Sequence, residues 1–146
     1  MRILVMNGPN LNMLGIREPE KYGTQTYADL LGMIGAEAER LGIEVDFFQS
    51  NHEGDLVDKI QSAYGTDDGI LINPAAYTHT SVALLDAVKA VGLPCVEVHI
   101  TDPDTREEFR HISYIRQACI ATVKGKGFAG YLEGLRILAE RISGGV

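Results

Sequence analysis

The chain has 146 residues, of which 45% are hydrophobic, 23% charged and 7% aromatic, and its formal net charge is −7. That length fits one domain with an ordinary buried core, and the apolar fraction argues against disorder. The acidic balance leaves no broad basic surface for nucleic acid or anionic lipid, so an anionic substrate has to be met by a few locally placed arginines. The opening MRILVMNGPN is too short in apolar residues for a signal peptide, and no apolar run approaches the roughly 20 residues of a membrane span. A cytoplasmic protein without a membrane contact is therefore expected. Its two cysteines, Cys95 and Cys119, lie in apolar runs with no CxxC spacing and read as buried, reduced thiols in strands.

In chain order, Arg2–Met6 reads as a buried strand, followed by a polar loop of roughly 17 residues, Asn7 to Gly23, long enough for a lid. Tyr27, Leu30, Leu31, Ile34, Ala38 and Leu41 recur at helical spacing and stop at Gly42. A second strand is predicted over Ile43–Phe48, then a shorter helix carrying Leu56, Val57 and Ile60, with Ser50 and Glu53 spaced as a capping box. Strand three, Gly69–Ile72, runs into the polar turn Asn73 to Ser81. A helix with Leu84, Leu85, Val88 and Val91 follows and closes at Gly92-Leu93-Pro94. Cys95–Val98 and Ile120–Val123 complete five strands, and Tyr131, Leu135, Leu138 and Ile142 mark a last helix.

Strands alternating with helices predict a parallel sheet covered on both faces. In the order 2-1-3-4-5 the crevice opens between strands 1 and 3, outside the carboxyl ends of the strands. Reactive residues should then follow strands 1, 3 and 4, and chemistry-bearing residues do cluster there. The first loop holds Asn10, Asn12, Arg17, Glu18, Lys21 and Tyr22; the second holds Asn73 and His79; the third brings Glu97, His99, Ile100, Thr101 and Asp102. No internal repeat or linker divides the chain, so residues 1–146 read as one catalytic domain with a lid at about residues 7–23.

Several of these residues are open to two readings. His99, two residues after Glu97 on the same strand face, suits an oriented general acid, or is a solvated or capping histidine. His79, two residues before Ser81 where the next helix is expected to start, either binds an anion or hydroxyl or caps. A guanidinium at Arg17 would stabilise phenolate at Tyr22 and make it a base, whereas the plain alternative is a surface arginine and a packing tyrosine. Arg110 either clamps a carboxylate or pairs with Glu107 and Glu108.

Other patterns carry less. Gly125 to Gly130 matches GxGxxG, but too little chain remains after it for a second strand and a ribose-binding acid, so it reads as tight strand-to-helix packing. Nothing matches the Walker loop. The histidines 52, 79, 99 and 111 show no metal-ligand spacing, and Lys21 sits in charged company unsuited to a Schiff base.

Taken together, Asn7-Gly8-Pro9-Asn10-Leu11-Asn12, Leu14-Gly15-Ile16-Arg17-Glu18-Pro19, Tyr22-Gly23, Ile72 to Ser81, Glu97-Val98-His99-Ile100, Glu107 to Ser113 and Gly125 to Tyr131 resemble type II 3-dehydroquinate dehydratase over nearly the whole chain. The resemblance implies an α/β, flavodoxin-like three-layer sandwich. It also implies a hydro-lyase that converts 3-dehydroquinate reversibly to 3-dehydroshikimate, in the shikimate pathway of aromatic amino acid biosynthesis or in the quinate pathway. The elimination would be anti, through an enolate, with no cofactor, metal or imine. By position Tyr22 would be the base, Arg17 would keep it ionised, and His99 would be the acid. Asn73, His79, Ile100, Thr101 and Arg110 would hold substrate, Asn10 and Glu97 would support the site, and Asp86 would serve a neighbouring subunit's site in a trimer assembled into a dodecamer. The sequence departs from the family pattern at Thr101-Asp102, where Ser-Asn is frequent, at Ala75, where Gly is common, and at Leu85, where Arg is common. Asp102 is expected to weaken binding of a nearby carboxylate, and Leu85 to remove an interface contact. The rival readings are a flavodoxin-like module for FMN or another phosphate ligand, and an oligomer whose site has decayed.

Overall fold

The computed structural model describes residues 1–16 and 18–144, without the side chain of Tyr22. Five parallel strands, β1 (Arg2–Asn7), β2 (Glu44–Gln49), β3 (Gly69–Asn73), β4 (Cys95–His99) and β5 (Ala121–Lys124), form one sheet in the expected order β2-β1-β3-β4-β5. The helices are α1 (Pro19–Tyr22), α2 (Tyr27–Leu41), α3 (Glu53–Ser62), α4 (Val82–Val91) and α5 (Ala129–Ser143).

Because alternate residues of a strand face opposite ways, β1 divides its apolar residues between two cores. Ile3 and Val5 pack with Leu71, Val96, Val98 and Val123 against Leu30 and Ile34 of α2 and Tyr131, Leu135 and Leu138 of α5. Leu4 and Met6 pack with Ile70, Ile72 and Cys95 against Leu56 and Ile60 of α3 and Leu84, Ala87 and Val88 of α4. The three layers follow from this division. Glycine lets α5 settle onto the sheet at Gly134, where a Cβ would fall 2.5 Å from Leu71 Cδ1, whereas a Cβ on Gly130 of the GxGxxG segment would only touch Val123 Cγ1 and Val98 Cγ2 at 3.4 Å. Among the described residues no helix is long and apolar enough to cross a membrane.

Each strand ends one residue beyond its expected terminus, and in every strand the added residue is polar: Asn7, Gln49, Asn73, His99 and Lys124. These residues carry ladder bonds although they end the apolar run. Two other expectations are corrected. Ser50 and Glu53 do not form a capping box: α3 starts at Glu53 with His52 as N-cap and no side-chain cap bond. Ser50 Oγ instead accepts from His52 N–H at 3.0 Å and donates to Asp55 at 3.0 Å. The reciprocal capping box lies at Thr26 and Asp29, at the head of α2. Cys95 is buried in β4, but Cys119 is only partly buried and precedes β5, the two free sulfurs lying 3.7 Å apart.

The long β1–α2 loop is not uniform. Leu11 and Leu14 are buried in the core beside α2, which pins the first part of the loop through a 3-10 turn, Leu11–Met13. Arg17 lies outside the described residues.

Candidate active site

The carboxyl ends of the strands open into a cleft lined by Asn10, Leu11, Asn73, Ala75, His79, His99, Ile100, Thr101, Arg106 and Arg110, with Pro9, Ala76 and Pro103 at its margins. β1 and β3 approach closely at its base. Gly8 N–H donates to Asn73 O at 2.8 Å, and a Cβ on Gly8 would fall 2.5 Å from Pro74 O. The crevice thus sits where the chain switches sides of the sheet, at the position expected for a doubly wound fold.

Two buried polar clusters finish the two faces of the sheet at this edge. On the α2/α5 face, Tyr131 OH donates to Asn7 Oδ1 at 2.6 Å and accepts from Asn73 Nδ2 at 2.9 Å. Asn73 Oδ1 accepts from Ala75 N–H at 3.0 Å, which holds Ala75 in a left-handed conformation, φ +53°. Burial pushes the Tyr131 phenol well above its ordinary pKa against the opposing bond from Asn73, so it stays a neutral donor and is no base. Asn73 is therefore fixed by three groups, Tyr131 OH and Ala75 N–H on its side chain and Gly8 N–H on its carbonyl, with its strand partner Asn7 bound to the same phenol.

On the other face stands Glu97, fully buried. Its Oε2 lies 2.7 Å from His99 Nε2, from Thr78 Oγ1 and from Ser113 Oγ. Its Oε1 accepts from Arg116 Nε and Thr122 Oγ1, both at 3.1 Å. Burial alone would raise the pKa of this carboxyl. The His99 bond and charge and the Ser113 and Thr78 hydroxyls outweigh burial and hold it below the usual carboxylate range. An ionised carboxylate only accepts, so His99 must carry a proton on Nε2. That leaves Nδ1 as the nitrogen for exchanging a proton with a ligand in the cleft that His99 lines.

His79 is not a helix cap. Ser81 caps α4, accepting from Leu84 N–H, while His79 Nδ1 donates to the Ile112 carbonyl at 2.7 Å. Burial lowers the pKa of His79, more than the carbonyl bond raises it, and the His99 and Arg110 charges add to the lowering. A neutral ring with Nδ1–H committed has Nε2 as an acceptor for a hydroxyl. Arg110 Nε pairs with Glu107 at 2.6 Å, as one reading of the sequence expects, and the residue lines the cleft. Asn10 is also left-handed, φ +71°, with its backbone N–H bound to Asn51 Oδ1 at 3.0 Å.

Arg106 is the cleft residue that sequence reading missed. It stands one position before the quoted Glu107 motif, where only its place after β4 could have flagged it. Its Nη2 reaches Glu18 Oε2 of the β1–α2 loop at 4.0 Å. The Asp102 carboxylate caps the 3-10 turn Pro103–Thr105 through Asp104 N–H and lies 3.5 Å from Lys124 Nζ. Lys124 also pairs with Asp104, so the charge faces a cation and is not among the cleft lining. Asp86 sits on the exposed side of α4, away from this chain's own cleft, and Leu85 is nearly covered within the chain.

Fold and site define a doubly wound α/β enzyme whose polar groups converge on one crevice at the carboxyl edge of the sheet. Comparison with known proteins is specific. Residues 1–139 match the family model for dehydroquinase class II. The chain is 56% identical over 139 residues to a 3-dehydroquinate dehydratase of Corynebacterium glutamicum strain R, covering 95% of this chain and 96% of that protein. It is 51% identical over 143 residues to the 3-dehydroquinate dehydratase of Clostridium acetobutylicum, covering 98% and 99%. The crystal structure of a type II dehydroquinase from Butyrivibrio crossotus superposes with a TM-score of 0.93 at 49% identity, covering 94% of this chain and 97% of that one. The chain belongs to the class II dehydroquinase family, and is thus a hydro-lyase.

Proposed function

We propose that the protein dehydrates 3-dehydroquinate to 3-dehydroshikimate, reversibly and by anti elimination, with Tyr22 as base and His99 as acid. The observation that carries this reading is the buried Glu97–His99 pair opening onto a cleft that also gathers Asn10, Asn73, His79, Ile100, Thr101 and Arg110. A proton alpha to a ketone is weakly acidic and a hydroxyl leaves poorly, so the reaction needs a base, support for enolate charge and an acid. Tyr22 removes the C2 proton, its phenolate kept ionised by Arg17. The electron pair moves into the enolate. His99 then gives the proton on Nδ1 to the departing C1 hydroxyl, and the enolate collapses to the conjugated enone with loss of water.

Asn73, held by Tyr131 and Ala75 N–H, positions the substrate together with the Ile100–Thr101 segment. His79 accepts from a substrate hydroxyl, and Arg110 serves the hydroxyl and carboxylate region. Within residues 7–23 the stretch beyond the pinned Leu11 and Leu14 acts as the lid of a single catalytic domain, closing to exclude water. Asp86 serves the site of a neighbouring subunit in a cytoplasmic trimer-based dodecamer. The test is a spectrophotometric assay of enone formation from 3-dehydroquinate, in EDTA and after borohydride treatment with substrate present. Turnover surviving both is the expected result; loss to borohydride would mean a lysine imine and overturn the assigned roles.

A further inference from the structure

We propose that Arg116 and Thr122 are positioning residues that act through the second oxygen of Glu97 to set the pH at which His99 gives up its acidic proton. The inference rests on the reading of His99 as the acid and goes beyond it. It names groups that touch neither cleft nor substrate.

The argument starts from hydrogen-bond accounting at a carboxylate with no solvent exposure. Oε2 is shared by His99, Thr78 and Ser113, while the two hydroxyls are themselves 2.8 Å apart. Two hydroxyl protons can satisfy only two of those three hydroxyl contacts at once, so Oε2 accepts from His99 and from one or both neutral hydroxyls, and no permanently charged group among the described residues reaches it. The Oε1 side is different. It receives one neutral donor, Thr122 Oγ1, and one full positive charge, Arg116 Nε.

Arg116 sits on the 3-10 turn Ile115–Ala118 with its side chain 37% exposed, so its charge is partly solvated while its Nε reaches the buried oxygen. A carboxylate neutralised from one side exerts a weaker pull on a cation at the other. With Arg116 in place, the imidazolium form of His99 is held less tightly and releases its proton more readily. Without it, the uncompensated Glu97 charge stabilises imidazolium, and direct repulsion between Arg116 and His99 disappears as well. Both effects raise the pH at which His99 titrates. Losing the Thr122 hydroxyl makes Glu97 a stronger acceptor and acts in the same direction, more weakly.

The other charges around His99 come from every neighbouring element among the described residues. His79 ends the turn after β3; Arg106 and Arg110 line the cleft from the segment after β4. Lys124 stands opposite His99 in the β4–β5 register, paired with Asp102 and Asp104. None of these bonds Glu97, so the substitutions below leave them in place.

The experiment follows the imidazole of His99 by NMR titration in substrate-free protein labelled at histidine, with His99→Gln assigning the signal, and in parallel the pH profile of kcat. Arg116→Gln should raise the titration midpoint of His99 by about half a pH unit, the scale of a partly screened charge. Arg116→Lys should return it to near the parent value, and Thr122→Val should shift it upward by less. A purely structural role for Arg116 would lower stability in Arg116→Gln without moving the midpoint. An unmoved or lowered midpoint overturns the proposal and leaves the reading of His99 as acid intact. A raised midpoint with an unchanged kcat profile sustains the coupling and counts instead against His99 as the acid.

Discussion

Both edges of the sheet reverse the chain through left-handed glycines, Gly15, Gly23, Gly125 and Gly127 among them at the carboxyl edge, but among the described residues only the carboxyl edge adds left-handed residues that carry side chains. At the amino edge the left-handed positions are glycines: Gly42 and Gly92 end α2 and α4 with φ of +71° and +68°, and Gly65 turns the chain before β3. Glycine adopts this conformation without penalty, and the joints are short. At the carboxyl edge the three non-glycine residues with positive φ among the described residues, Asn10, Glu18 and Ala75, all lie in the loops that follow β1 and β3. There the backbone is held by side chains, Asn51 on Asn10 and Asn73 on Ala75. One edge is built for stability alone, whereas the other accepts strain and buried polar groups in order to aim side chains into a cleft.

Substitutions can break or sharpen this contrast. Tyr131→Phe should have the largest effect of three. It removes the donor to Asn7 and the acceptor of Asn73, leaving buried polar atoms unmatched at a cost of about 2 kcal/mol in denaturant unfolding. Because Asn73 then loses its anchor, KM should rise together with the loss of stability. At the amino edge, Gly92→Ala meets no atom within 4 Å and suffers only from its φ. It should lose about 1 kcal/mol in the same unfolding experiment, with kcat and KM unchanged. Ala75→Gly should have the smallest effect and the opposite sign. It relieves left-handed strain at some expense of chain entropy, for a net stabilisation of about 0.5 kcal/mol in thermal unfolding. A kinetic effect of Gly92→Ala as large as that of Tyr131→Phe would erase the distinction between the edges.

The same contrast explains what was legible in the sequence. Periodicity predicted all five strands and four helices, because each core face draws on one regular set of apolar residues, whereas the order of the strands belongs to the flavodoxin-like fold that the resemblance implies. Strand ends were missed by one residue because Asn7, Gln49, Asn73, His99 and Lys124 are polar, and only the ladder shows that they belong to strands. The capping box was assigned to Ser50 and Glu53 on spacing alone. Spacing does not reveal that Ser50 Oγ has a carboxylate nearby, Asp55, to which it donates. The pairing of Glu97 with His99 was readable, being local to one strand. Its partners Thr78, Ser113, Arg116 and Thr122 come from other segments, and no pattern along the chain announces them. Family resemblance supplied the roles of Tyr22 and Arg17, which periodicity could not.

The division of work between two loops is tested most directly by solvent exchange. In D2O, substrate recovered from His99→Ala should carry deuterium at C2 well above an enzyme-free control while enone formation is nearly abolished, since the base still works and the hydroxyl cannot leave. Tyr22→Phe should show neither exchange nor turnover, with kcat reduced beyond the roughly 10²–10⁴-fold ascribed to one acid–base group. Normal C2 exchange in Tyr22→Phe would contradict the account, because the proton would then be leaving to another base.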